Sequence, residues 1–208
     1  MKKFAVFALA VAMAVLSFTS CAKGEPPALE DVYDRLVEVM EEAHDINYVL
    51  FGPGLPTLDR DSAEADLNGY YAGSTLSDGT EMVALAYSPY KNVEEIKAAI
   101  TRVYSTAYSQ SLFESTFTGY AMSDGGNTVL PAKFEENSDG MTQNSDVGGF
   151  ISGQRTYDYA SMEIIDGHAT RITVAIRSYA SAHPGEWQDG DLDFVYENGN
   201  WYLDGPSC

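Results

Sequence analysis

Positive charge is scarce in this chain. Of its 208 residues, 12 are lysine or arginine against 31 aspartate or glutamate, a formal net charge of −19 at pH 7. With no basic stripe to neutralise phosphates, nucleic acid is excluded as a partner, and an anionic lipid surface would repel the chain rather than dock it. A basic partner is the class that such acidity favours, because attraction accelerates its approach. Solubility at a crowded cell surface is the plainer reading of the same charge. Cysteine is nearly absent, with only Cys21 and Cys208. Cys208 follows Gly205-Pro206-Ser207, and a chain end there is a poor place for the fixed electropositive pocket of a catalytic thiol. No disulfide is expected.

Histidine is equally sparse. His44, His168 and His183 include no pair at i,i+4 and have no cysteine beside them, so no metal site is expected. His44 reads as a surface residue and the other two as turn residues. No Gly-x-Ser-x-Gly elbow occurs, and Gly119 to Gly126 lacks the strand–turn–helix setting of a phosphate loop. Asp189, Asp191 and Asp193 alternate, but a calcium loop would need Gly and Glu where Phe194 and Asn200 stand. They read as the edge of a hairpin, with Asp193 on its solvent side. No repeat or low-complexity region is present after the N-terminal segment. The chain reads as a non-enzyme with no cofactor.

The one long apolar run is at the N-terminus. Lys2-Lys3 precedes Phe4–Leu16, which is too short for a membrane span and reads as a secretory leader. Ser17-Phe18-Thr19-Ser20-Cys21 has the small residues of a lipoprotein cleavage site, although Phe18 stands where such sites prefer an aliphatic side chain. The expected organisation is a leader over 1–20, a lipid-anchored tether over 21–28 with Cys21 as attachment point, and one domain over 29–208. Acyl chains on Cys21 would hold the exported chain to the outer face of the cell membrane. Ordinary secretion with Cys21 lost or free is the alternative.

Helical spacing marks two places. Leu29, Val32, Leu36, Val39, Ala43, Ile46 and Leu50 share one face of a helix over 29–50, ended by Phe51-Gly52-Pro53-Gly54. Asn92 caps a second helix, with Glu95 reaching back to the cap's N–H and Val93, Ile96, Ile100, Val103 and Ala107 on its apolar face. Ser105 or Thr106 starts a short third helix carrying Leu112, Phe113 and Phe117. Glu81–Tyr87 reads as a strand in a hairpin with Gly69–Ala72. Arg155–Ile165, Thr170–Tyr179, Leu192–Tyr196 and Trp201–Leu203 read as an antiparallel meander with turns at Asp166-Gly167, His183-Pro184-Gly185 and Asn198-Gly199. Its apolar face, led by Ile172, Val174 and Ile176, needs a cover. The expected fold is α+β: an N-terminal amphipathic helix and a central helical pair packed on a curved antiparallel sheet with a C-terminal meander.

Between Pro131 and Gly149 the pattern is weak, and the stretch reads as a long loop. It carries Glu135, Glu136, Asp139 and Asp146 against one cation, Lys133. Long loops in compact domains are often functional. These four carboxylates are the candidate partner-binding residues, with an acidic solvated excursion as the alternative. The 14 tyrosines would pack in strands or stack on sugar rings. Tyr157 and Tyr159 would share a strand face.

Tyr90-Lys91-Asn92-Val93-Glu94-Glu95-Ile96-Lys97, Val103-Tyr104-Ser105, Leu112-Phe113 and the closing Gly199-Asn200-Trp201-Tyr202-Leu203-Asp204-Gly205-Pro206-Ser207 together resemble the IseA family of DL-endopeptidase inhibitors. The ending departs from that family's pattern by Asn200 before Trp201 and by the terminal Cys208. The resemblance implies binding to NlpC-type cysteine peptidases that cut peptidoglycan stem peptides. An inhibitor of that kind fills a cleft and needs no chemistry of its own. A small-ligand or sugar-binding lipoprotein with a nuclear-transport-factor-like cone fold is the second reading. An enzyme of that cone type, using an enclosed carboxylate or histidine, is the third. Lipidation makes a direct prediction: Cys21→Ala abolishes metabolic palmitate incorporation, and label retained by the variant would contradict it.

Overall fold

The computed structural model describes residues 24–57, 80–122, 128–144, 147 and 154–207. Helix α1 spans Leu29–Leu50 and buries Val32, Leu36, Val39, Met40, Ala43, Ile46, Val49 and Leu50. That is the apolar stripe expected from the spacing, widened by Met40 and Val49. No side chain caps its N-terminus, where Glu30 and Asp31 instead complement the helix dipole. At the other end Gly54 adopts φ 91°, and a Cβ there would meet the Gln143 side chain at 2.1 Å. Glycine is required because Gln143 bonds across the turn, accepting from Leu55 N–H at 2.7 Å and donating to Pro53 O at 3.1 Å.

Helix α2, Val93–Val103, starts as the sequence indicates. Asn92 Oδ1 accepts from Glu95 N–H at 2.8 Å. The Glu95 carboxylate reaches back one residue further than expected, to Lys91 N–H at 2.7 Å. Ser105 is the N-cap of α3, Thr106–Phe113, which continues as a π-helical turn over Glu114–Thr118. Residues 104 and 105 also lean on the sheet. Ser105 N–H donates to Leu203 O at 2.8 Å, so the α2–α3 joint sits against the last strand.

Among the described residues the strands form three sheets. The largest is the meander β6 (Arg155–His168), β7 (Arg171–Ala180), β8 (Gln188–Glu197) and β9 (Asn200–Leu203), in that spatial order and antiparallel throughout. Asn198-Gly199 makes the expected two-residue turn with φ 53° and 87°. The β6–β7 turn is displaced from its expected place. Asp166 and Gly167 are paired strand residues, opposite Thr173 and Ile172, and the chain reverses at Ala169-Thr170. Gly167 serves close strand approach instead: a Cβ there would lie 2.4 Å from Arg171 O. Bulges between Asp158 and Glu163 and between Ile164 and Asp166 bend β6.

A second sheet joins β1 (Thr80–Met82), β5 (Gly140–Asn144) and β4 (Phe134–Asn137), in that order. This corrects two expectations. The stretch after Pro131 is a hairpin rather than a loop. The strand at 81–87 ends at Met82, with only an isolated bridge from Val83 to Thr57 beyond it, and the chain turns by Tyr87. Strand β1 pairs with β5, whereas Gly69–Ala72, its expected partner, lies outside the described residues. The third sheet pairs β2 (Tyr120–Met122) with β3 (Thr128–Leu130).

One continuous core joins the helices, the meander and the β4–β5 hairpin. Leu36, Val39, Met40 and Ile46 of α1 and Ile96 and Ile100 of α2 share it with Phe134, Met141, Ile172, Val174, Phe194 and Leu203. A buried polar junction lies within it. Asn47 accepts from the Tyr104 hydroxyl and donates to Ser207 Oγ at 2.9 Å, tying α1, the α2–α3 joint and the C-terminal tail together. Tyr104→Phe removes that hydroxyl donor from a buried amide oxygen. It is expected to lower unfolding free energy by about 1–3 kcal/mol in urea titration, whereas an unchanged midpoint would show the junction to be energetically idle.

Candidate functional site

The hairpin of β4 and β5 carries three of the four candidate carboxylates. Phe134 points inward and is buried, and the next five residues are exposed. Glu135 and Glu136 extend along β4, and Asp139 lies in the turn, where its N–H donates to Asn137 Oδ1 at 2.8 Å. Asp146 lies outside the described residues. The three are not equivalent. Glu136 accepts from Val93 N–H at 3.1 Å, so it satisfies a free donor at the α2 N-terminus and ties the hairpin to that helix. Glu135 and Asp139 make no such long-range bond among the described residues and remain available to a partner.

Lys133, read as the cation of an acidic loop, is instead buried at 3% exposure. Its Nζ donates to Leu50 O at 2.9 Å and Gly52 O at 3.0 Å. These are carbonyls at the C-terminal end of α1, which has no basic residue in its own last turn. That missing residue was the one sequence signal that could have pointed to Lys133. Burial lowers its pKa from 10.5 to about 8. The hairpin is thus fixed to α1 through Lys133 and to α2 through Glu136, and presents acid on a held support.

The remaining candidates are placed as follows. His168, expected in the turn, is instead the last residue of β6, paired with Arg171, and its Nδ1 lies 3.3 Å from Thr170 N. His183 is exposed, 3.7 Å from Glu186. His44 is half-buried on α1. Asp193 faces the solvent side of the meander, where it accepts from Thr173 Oγ1 at 2.7 Å and pairs with Arg171 at 3.3 Å. Among the described residues no cluster of three or more His, Cys, Asp or Glu could hold a metal ion. Tyr157 and Tyr159 share a face with ring centroids 6.3 Å apart, and both pack against the core. Burial raises the Tyr159 pKa, helped by nearby Glu41, and burial likewise raises that of Tyr90. Among the described residues no helix is long and apolar enough to cross a membrane.

Two depressions lie among the described residues. One of about 250 Å³ lies between the α2–α3 joint and the β8–β9 turn, lined by Thr101, Gln110, Phe113, Asn198 and Tyr202 among others. Glu197 on its wall accepts from Thr106 N–H at 3.0 Å and Oγ1 at 2.7 Å, which commits it to holding the start of α3. The other, about 230 Å³, opens beside Gly190, and nothing in the sequence pattern pointed to it. No family model and no curated protein matches this chain.

Lys133 sets a pH dependence whose sign follows from its lowered pKa. Below about pH 8 both folded and unfolded chains hold the proton, and the folded chain bears the cost of a buried ammonium. Between about 8 and 10.5 the unfolded chain keeps the proton while the folded chain releases it, so this residue's contribution to stability rises with pH. Relative to Lys133→Met, the wild-type chain should gain about 1–3 kcal/mol across that window in urea titrations. Parallel pH profiles for the two chains would contradict the assignment.

Proposed function

We propose that this chain is a lipid-tethered, non-catalytic protein that binds and restrains a cell-wall cysteine endopeptidase of the NlpC type through its acidic surface. The observation that carries this reading is the acidic hairpin: Glu135 and Asp139 stand exposed on a support pinned to α1 by Lys133 and to α2 by Glu136. A pre-ordered, negatively charged projection suits capture of a basic surface. Such a surface loses little conformational freedom on binding and gains on-rate from long-range attraction. The acidic outer side of α1, with Glu30, Asp31, Asp34, Glu38, Glu41 and Asp45 exposed, extends the same field. Within the core the one charged side chain among the described residues is Lys133. The carboxylates are therefore outside, where they act by attraction.

The depression beside Phe113 and Tyr202 favours the second reading, a sugar or small-ligand binder. It offers aromatic rings together with the amides of Gln110 and Asn198. The two readings part in one experiment. The soluble domain, residues 22–208, is used at low salt to pull partners from surface extracts, and recovered peptidases are assayed with and without it. A peptidoglycan peptidase should be recovered and inhibited. The variant Glu135→Gln, Glu136→Gln, Asp139→Asn, Asp146→Asn should associate about tenfold more slowly and lose most of its salt dependence. Unchanged inhibition and salt dependence in that variant would remove the hairpin from the contact. Inhibition of no peptidase, with saccharide binding that Tyr202→Ala abolishes, would establish the second reading.

A further inference from the structure

Strand β8 is only half covered by its neighbour. Strand β9 pairs with Phe194–Glu197, and the last rung is Asp204 N–H to Asp193 O at 2.8 Å. The chain then leaves the sheet. In the register that sets Phe194 against Leu203, Pro206 falls opposite Asp191, where a continued ladder needs a donor that proline lacks. Since Asp193 O points away from β7, strand alternation turns the N–H and C=O of Asp191 and Asp189 the same way. Among the described residues nothing pairs with them, and Gln188 to Asp191 are all exposed. This is an open sheet edge with two donors and two acceptors in line.

A side-chain pocket adjoins that edge. Gly190 stands opposite Ile176 on the inner face, and a Cβ placed on it would meet nothing within 4 Å. The missing side chain opens the depression of about 230 Å³, walled by Ile176, Leu192, Tyr157 and Pro206 with Arg155 at its side. Arg155 Nε is engaged with Ser178 Oγ at 2.9 Å, and its charge disfavours a cationic side chain in the pocket. On the opposite face the side chains of Asp189 and Asp191 flank the edge. They favour lysine or arginine there, and they oppose pairing with a second copy, which would set carboxylate against carboxylate.

We infer that the free edge of β8 at Asp189–Asp191 is a strand-addition site for an extended peptide segment of a partner protein, with an aliphatic side chain entering the Gly190 pocket and basic side chains on the outer face. Main-chain bonds supply the attachment and the pocket supplies the choice of sequence. The site is separate from the hairpin of β4 and β5 and does not depend on what that hairpin binds.

The test uses the soluble domain with an acetylated, amidated peptide of alternating lysine and valine, and its glutamate–valine counterpart. The lysine–valine peptide should slow exchange of the Asp189 and Asp191 amides, and bind about tenfold more tightly than the glutamate–valine peptide. Two variants should each weaken binding by about tenfold with unchanged unfolding midpoints: Gly190→Leu, which fills the pocket, and Asp191→Pro, which removes an outward donor that β7 does not use. Slow exchange of both amides in the free domain would mean that the chain's own segments already pair the edge, and would overturn the proposal. Equal binding of the two peptides, no binding of either, or binding indifferent to both substitutions would also overturn it.

Discussion

Everything in this structure depends on covering one face of one sheet. The meander β6–β9 turns Ile172, Val174, Ile176, Leu192, Phe194 and Leu203 to the same side. A four-stranded sheet with a bare apolar face does not stand alone in water. Helix α1 supplies the cover with Leu36, Val39, Met40, Ala43 and Ile46, and α2 completes it. The Asn47–Tyr104–Ser207 junction then fixes where the cover sits, since a buried amide leaves few alternative arrangements in which its bonds are made. The hairpin of β4 and β5 is placed from that frame: Phe134 and Met141 enter the same core, and Lys133 closes the end of α1.

The same constraint sorts the charges. A core built from aliphatic faces has no place for an unpaired carboxylate, so the acidic residues collect on the outer side of α1, on the hairpin and along β8. Lysine is the exception because the carbonyls of Leu50 and Gly52 at the end of α1 take its ammonium, and α1 has no basic residue in its own last turn. Some surface carboxylates serve the fold itself. Glu136 and Glu197 satisfy helix N-termini, and Asp158, Asp193 and Asp204 hold arginines across the meander. Glu135, Asp139, Asp189 and Asp191 have no such engagement across the fold among the described residues.

How much of this was legible depended on how local each signal is. Helix α1, the Asn92 and Ser105 caps, the Asn198-Gly199 turn and the inward face of β7 follow from neighbouring residues and were readable. The β4–β5 hairpin was not, because β5 buries Thr142, Gln143 and Asn144 as the central strand of its sheet and shows no apolar alternation. Asp166-Gly167 has a turn composition, but Gly167 is there because a strand passes too close for a side chain. Of the candidate site, the acidic residues were legible from composition. The division between Glu136 as a support and Glu135 and Asp139 as free charges was not, since it rests on contact with a helix 43 residues away. The burial of Lys133 and the pocket beside Gly190 depend on distant pairing in the same way.

The proposed function requires that the acidic, pre-ordered exterior work by attraction. The most direct measurement is the association rate of the wild-type domain with a purified NlpC-type wall peptidase as ionic strength rises from about 20 to about 300 mM. Attraction by the acidic exterior predicts a fall of about tenfold or more, with the dissociation rate nearly constant. An association rate indifferent to salt, or no association at any salt, would contradict it.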